Sequence, residues 1–224
     1  MYLAYFILII LIPIWAQMKV KSAYNKYSQV ASYSKMTGRE VARRILDSNG
    51  LFDVSIEETR GVLSDHYDPR SKVVRLSSKN YHGYSVAAAA IAAHEVGHAI
   101  QDQQGYSFLR FRSALVPVAN FGSNASWIFI LIGMFTQLSG MILLGIILMA
   151  AGVLFQFVTL PVEFNASNRA MDQVVALGII RNEEERETKK VLNAAALTYV
   201  AAAAVAIIEL LRLILIYTGM QRDD

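Results

Sequence analysis

The chain has no cysteine, which excludes disulfides and thiolate metal ligands alike and leaves the redox compartment unstated. It also has long stretches without charge: no charged residue precedes Lys19, and none stands between Arg112 and Glu163. The second interval is far longer than the run of about 20 residues that one bilayer-spanning helix requires. The net charge is only +3 over 224 residues, and no aromatic-basic module accompanies it, so nucleic acid is not an expected partner. What fills the chain is apolar residue, 54% of the total with a positive mean hydropathy, more than one soluble domain of this size needs. The expected surroundings are a lipid bilayer.

The first apolar segment, Tyr2 to Ala16, lacks the marks of a cleaved signal peptide. It has no basic start, its end reads Ile14-Trp15-Ala16 in place of small-x-small, and Lys19, Lys21 and Lys26 follow it. It reads as an uncleaved anchor with Tyr2, Tyr5 and Trp15 at the interfaces, short for a span, so that local thinning or flanking residues must help. The long neutral interval is long enough for two spans, Ala114 to Phe135 and Leu138 to Leu160, turning at Thr136, Gln137, Ser139 and Gly140. The alternative is one steep helix plus a buried segment, since Pro117, Asn120, Ser123 and Asn124 weaken the first half. Ala194 to Tyr217 is the last apolar run, where Glu209 and Arg212 stand one turn apart and are expected to pair.

Among the four histidines, His94 and His98 carry the chemistry. They flank Glu95 in Ala-Ala-His-Glu-Val-Gly-His-Ala-Ile, on an alanine-rich, proline-free run from Val86 to Gln101 that Ser85 can cap. Histidines at i and i+4 share one helical face, so both imidazoles can reach one Zn²⁺. Glu95 stands where it can take a proton from a water at that metal. A catalytic zinc normally takes three protein ligands. Glu163, the first ionisable residue after the neutral interval, is the expected third, with His66 and His82 as rivals. An even number of crossings would return Glu163 to the side of the histidines, so the hairpin and the ligand assignment support each other.

The polar region divides into short elements. Thr37-x-x-Glu40 is a capping box opening a helix to about Asp47, stopped by Asn49-Gly50. Val54 to Glu58 and Lys72 to Leu76 read as strands, with Asp68-Pro69 in a turn. Val73 to Leu76 is the expected sheet edge for an extended peptide, the other reading being an internal strand. Beyond the hairpin a helix carrying Glu163 runs to about Ala176, Gly178 interrupts it, and Asn182 is expected to cap a helix opening with Glu183-Glu184-Glu185, with Glu185 and Lys189 as an ion pair.

The order Asp65-His-Tyr-Asp-Pro-Arg70, a short strand, Tyr81-His82-Gly83, His94-Glu-Val-Gly-His-Ala-Ile-Gln101, a neutral hairpin and Pro161-Val-Glu-Phe-Asn-Ala-Ser-Asn-Arg169 resembles the YugP-type neutral zinc metallopeptidases of bacterial membranes, over nearly the whole chain. It is similar, more distantly, to the HtpX and CAAX-prenyl endopeptidase type of gluzincin. In those relatives an aspartate four residues beyond the glutamate ligand buttresses a histidine. This chain has Ser167 there, and the resemblance leaves that hydrogen bond to Asn165, Ser167 or Asn168.

The expected architecture is a mainly α membrane protein, with about four transmembrane helices and a small cytoplasmic α+β zincin-like catalytic domain. Its parts are an anchor (1–17), the catalytic region with the zinc helix (18–113), the hairpin (114–160), the third-ligand and connecting helices (161–193), a last span (194–217) and a tail (218–224). Fourteen of the 21 Lys and Arg lie between residues 18 and 113, and only Arg222 lies in the tail, which puts the polar region inside and both termini outside a bacterial plasma membrane. The expected function is a zinc-dependent endopeptidase with one Zn²⁺ per chain, ligands His94, His98 and Glu163, base Glu95, and an oxyanion donor among His82, Tyr81, His66 and Arg169. Peptides or membrane proteins would be its substrates. A scaffold whose zinc is structural is the competing reading; such sites are usually closed by four protein ligands, and this sequence offers three.

Overall fold

A computed structural model describes residues 2–220, and the side chains of 5–219; the side chain of Tyr2 and Arg222 lie outside the described residues. The elements in chain order are α1 (Tyr2–Tyr27), α2 (Gly38–Ser48), β1 (Ser55–Thr59), β2 (His66–Asp68), β3 (Val73–Ser77), α3 (Ser78–His82), α4 (Val86–Gln103), α5 (Ser107–Thr136), α6 (Ser139–Ala176) and α7 (Asn182–Met220). The protein is a mainly α membrane protein: four helices, α1, α5, α6 and α7, are long and apolar enough to cross a bilayer. Two compact units divide the chain. One comprises residues 1–15, 107–161 and 199–224; the other comprises 16–106 and 162–198 and includes the three-stranded sheet.

In the first unit, α5 and α6 form the expected hairpin. Gln137, at a φ of 59°, makes the turn between them. Glycine lets the two helices approach: a Cβ at Gly122 would stand 2.7 Å from the Leu148 carbonyl oxygen, and one at Gly133 would meet the Ile142 side chain and backbone. Ile130, Ile142, Ile146 and Leu213 form the buried apolar cluster. The expected Glu209–Arg212 pair is present at 3.6 Å, and Tyr5 joins it: Arg212 Nη1 donates to Tyr5 Oη at 2.7 Å, and Tyr5 donates to Glu209. Charge inside a membrane-spanning helix is thereby matched by partners on α1 and α7. The first segment is not short. Its helix runs on through Lys19, Lys21 and Lys26, and its last turns belong to the second unit, where Tyr24 and Tyr27 enter the core.

In the second unit, the core is built around α4. Ala87–Ala90, Ala92 and Ala93 are buried, and side chains this small let neighbours pack close to the helix all round. Val41, Ala42, Ile45 and Leu46 of α2, Val74 and Leu76 of β3, Ala170 and Val174 of α6, and Val191 and Leu192 of α7 share that core. The caps form as the residues dictate. Thr37 and Glu40 close their capping box, Ser85 Oγ accepts from Ala88 N–H at 3.1 Å, and Gly50 and Gly178 take positive φ at the ends of α2 and α6.

Three expectations need correction. Val73 to Leu76 is not an edge: the sheet order is β1-β3-β2, with β1 parallel and β2 antiparallel to the central β3. Val73, Val74 and Leu76 are buried, as a run apolar on both faces requires. The edges are β1 and the three-residue β2, whose last residue, Asp68, opens the expected Asp68-Pro69 turn. Asn182 is the first residue of α7, not its cap; the Arg181 N–H ahead of it donates to Glu184 Oε2 at 2.9 Å, so the acidic run caps the helix by reaching back. The Glu185–Lys189 ion pair does not form among the described residues. Both side chains line a cavity of about 560 Å³ between α6 and α7, together with Ser167, Asn168, Met171 and Asp172.

Candidate metal centre

On α4 the four-residue spacing puts His94 and His98 one above the other, with ring centroids 4.8 Å apart and planes nearly perpendicular. α6 brings Glu163 against them. Its Oε2 lies 3.3 Å from His94 Nε2 and 3.7 Å from His98 Nε2, and its side chain is 3% exposed. The close approach depends on Gly97, between the histidines: a Cβ there would stand 2.6 Å from the Ala166 carbonyl oxygen on α6. Any larger residue would push the two helices apart. Among the described residues this is the group of His, Asp and Glu that can hold a metal, its three donor atoms all within 4.8 Å of one another; His66 and His82 are not part of it.

The hydrogen bonds behind the rings bear on whether a cation fits. Gln101 is fully buried, and its Nε2 donates to the Val162 carbonyl at 2.8 Å and to Asn165 Oδ1 at 2.9 Å. With both amide hydrogens used, its Oε1 is the atom 3.0 Å from His98 Nδ1, so Nδ1 must carry the hydrogen and donate. In the neutral ring Nε2 is then a lone pair, aimed at a carboxylate oxygen. Such an array of electron-rich atoms calls for a cation between them, and two imidazole nitrogens with a carboxylate oxygen are a donor set that suits Zn²⁺. Burial disfavours charge on His98, but the Glu163 carboxylate more than offsets it and the ring's pKa is raised. Positive charge is favoured at this point.

Glu95 is buried beside this group. Burial pushes its carboxyl above the usual carboxylate range, opposed by His94 and His98 and assisted by Asp65 and Glu163. A carboxylate moved in that direction is better suited to exchange a proton near neutrality. Ser167, one turn beyond Glu163, places its Oγ 3.2 Å from His94 Nδ1. Asn165 lies behind His98 through Gln101, and it also accepts from Arg169 Nε at 2.7 Å.

The remaining sequence-derived candidates lie elsewhere in bonding. His82 Nε2 is 3.2 Å from Glu58 Oε2 and its side chain is 68% exposed, while His66 Nδ1 faces the Ser64 carbonyl at 2.8 Å. Tyr81 packs against the core with the Arg39 guanidinium 5.7 Å from its ring centre. Two residues went unassigned in the sequence. Gln101 was legible in principle, because a polar residue at i+3 from His98 shares its face. Asp65 was not, since its partners are distant in sequence: it accepts from the Ser77 N–H at 2.8 Å and from Asn80 Nδ2 at 3.0 Å, fixing the junction of β3 and α3.

Fold and site together define a multi-pass membrane protein with a buried His-His-Glu group able to bind a metal. The chain belongs to the family described as "Putative neutral zinc metallopeptidase", whose profile matches residues 2–218. It is 54% identical over 210 residues to the "Putative membrane protease YugP" of Bacillus subtilis (strain 168), covering 94% of this chain and 93% of that relative. No solved structure matches it significantly. The family inferred from the motif order is therefore the one to which the chain belongs.

Proposed function

We propose that this protein is a membrane-embedded zinc-dependent endopeptidase in which His94, His98 and Glu163 hold one Zn²⁺ and Glu95 is the general base. The observation that carries the reading is the convergence of two imidazole Nε2 atoms and a carboxylate oxygen supplied by a residue 65 positions further along the chain than His98. When bound, the ion supplies Lewis acidity toward a scissile carbonyl and toward the attacking water. Glu95 accepts the proton of that water and delivers it to the leaving amine. Gln101 and Ser167 hold the two histidine rings in orientation from their Nδ1 sides. The donor that steadies the tetrahedral oxyanion is sought among His82, Tyr81, His66 and Arg169. The substrates on this reading are peptide segments of membrane or unfolded proteins. Comparing protein termini across the proteome of cells carrying wild-type chain or Glu95→Gln tests it. New termini that depend on Glu95 are expected, and identical sets would favour the scaffold.

The basic asymmetry supports a site on the cytoplasmic side. The cysteine-free chain allows a direct measurement with single cysteines at residues 30, 138 and 222. In intact cells an impermeant thiol reagent is expected to label 138 and 222 but not 30. Labelling at 30 alone would invert the orientation.

A further inference from the structure

Past Arg112 the hairpin helix α5 has two faces, and only one of them is packed. Ala119, Gly122, Ser126, Ile130 and Gly133 are buried, and at 3.6 residues per turn they fall on one stripe. Asn120 and Asn124 point elsewhere, about 140° round the helix from that stripe, and both are exposed. Ser113, Trp127 and Leu131 share their side of the helix, each partly or largely exposed. Ser113 Oγ is satisfied by the Leu109 carbonyl at 2.9 Å. Among the described residues, neither asparagine side chain makes a hydrogen bond.

Two arguments place these amides deep in the bilayer. At about 1.5 Å per residue they lie about 12 and 18 Å along the helix from Arg112, the last charge before the neutral interval, against a hydrocarbon core of about 30 Å. Packing gives the same depth: Gly122 meets Leu148 and Ser123 meets Gly152, so this level of α5 lies beside the middle of the apolar run of α6 from Leu138 to Leu160. Exposed primary amides at that depth face hydrocarbon, where no water can satisfy them. A partner helix with donors and acceptors at the same level removes the cost.

We propose that the Asn120–Asn124 face of α5 is an intramembrane docking surface for a second copy of this chain. Each amide carries both donors and an acceptor, so identical helices satisfy one another. Every copy of a membrane protein has the same orientation in the bilayer, and a two-fold axis along the membrane normal brings Asn120 and Asn124 of one copy level with those of the other. An unrelated helix would need its own polar residues at the same depth.

The test uses the full chain in native membranes. Leu131→Cys, on the asparagine side, is expected to give a self-adduct on mild oxidation or with a short bis-maleimide; Ile132→Cys, about 100° away and similarly exposed, is expected to give none. Adding Asn120→Leu and Asn124→Leu should reduce the Leu131→Cys adduct about tenfold, the order of two lost interhelical hydrogen bonds. Asn120→Gln with Asn124→Gln should preserve it. Circular dichroism and gel filtration of the purified leucine variant establish that it remains folded. The proposal is overturned if Leu131→Cys forms no self-adduct, if Ile132→Cys reacts equally, if the leucine substitutions change nothing, or if the adduct is with a different membrane protein.

Discussion

Replacing Glu95 by Gln is expected to lower turnover by a factor on the order of 10² or more while leaving zinc content unchanged. The substitution keeps the size of the side chain and removes its negative charge and its capacity to take a proton. None of the three proposed ligands is altered, and Gln101 and Ser167 still face the histidine rings. A residue that merely filled space at this buried site would tolerate the change. The measurement pairs metal analysis of the purified variant with single-turnover cleavage of an unfolded membrane-protein substrate in proteoliposomes. Cleavage at near wild-type rate would remove Glu95 from the mechanism. Loss of zinc together with activity would mean that Glu95 supports the metal and not the proton transfer.

Glu163→Ala is expected to lose zinc and activity together. Partners behind metal ligands already contribute about 10- to 100-fold to affinity, so removing a direct ligand should weaken zinc by more than about 100-fold. Glu163→Asp keeps an oxygen donor on a shorter arm and should retain weakened metal. Inductively coupled plasma analysis of the purified variants, with circular dichroism to confirm that α6 is intact, makes the comparison. A carboxylate that only marks the end of a membrane helix would behave differently, and wild-type zinc in Glu163→Ala would eliminate the ligand assignment. It would also remove the chemical reason for a hairpin that delivers Glu163 two residues past Pro161.

Much of the architecture was legible because it is written locally. The uncharged runs marked the spans, Thr37 and Glu40 marked the start of α2, and Gly178 marked the end of the helix carrying Glu163. The sheet was read less well. β2 is three residues long, too short for a period to show, and the continuous apolar run Val73-Val74-x-Leu76, expected at an edge with an internal strand as the other reading, is buried on both faces as a central strand is. At α7 the asparagine looked like the cap, yet the glutamate two residues beyond it took that role by reaching back to Arg181.

The sequence by itself determined that the chain is rich in membrane-spanning helix, that it offers no cysteine thiolate as a metal ligand, and that His94 and His98 share a helical face with Glu95 between them. These follow from composition and from the 3.6-residue period, which act within a turn or two of chain. Only the tertiary structure decided that Glu163, and neither His66 nor His82, meets the two histidines, that Gln101 fixes the His98 tautomer, that Ser167 reaches His94, and that Tyr5 completes the Glu209–Arg212 pair. Each joins residues distant in sequence or depends on such a contact: Gln101 and His98 are near neighbours, but the Gln101 amide is oriented by Val162 and Asn165. Such pairings depend on how helices pack, through close approaches such as Gly97 against Ala166, and no local pattern encodes them.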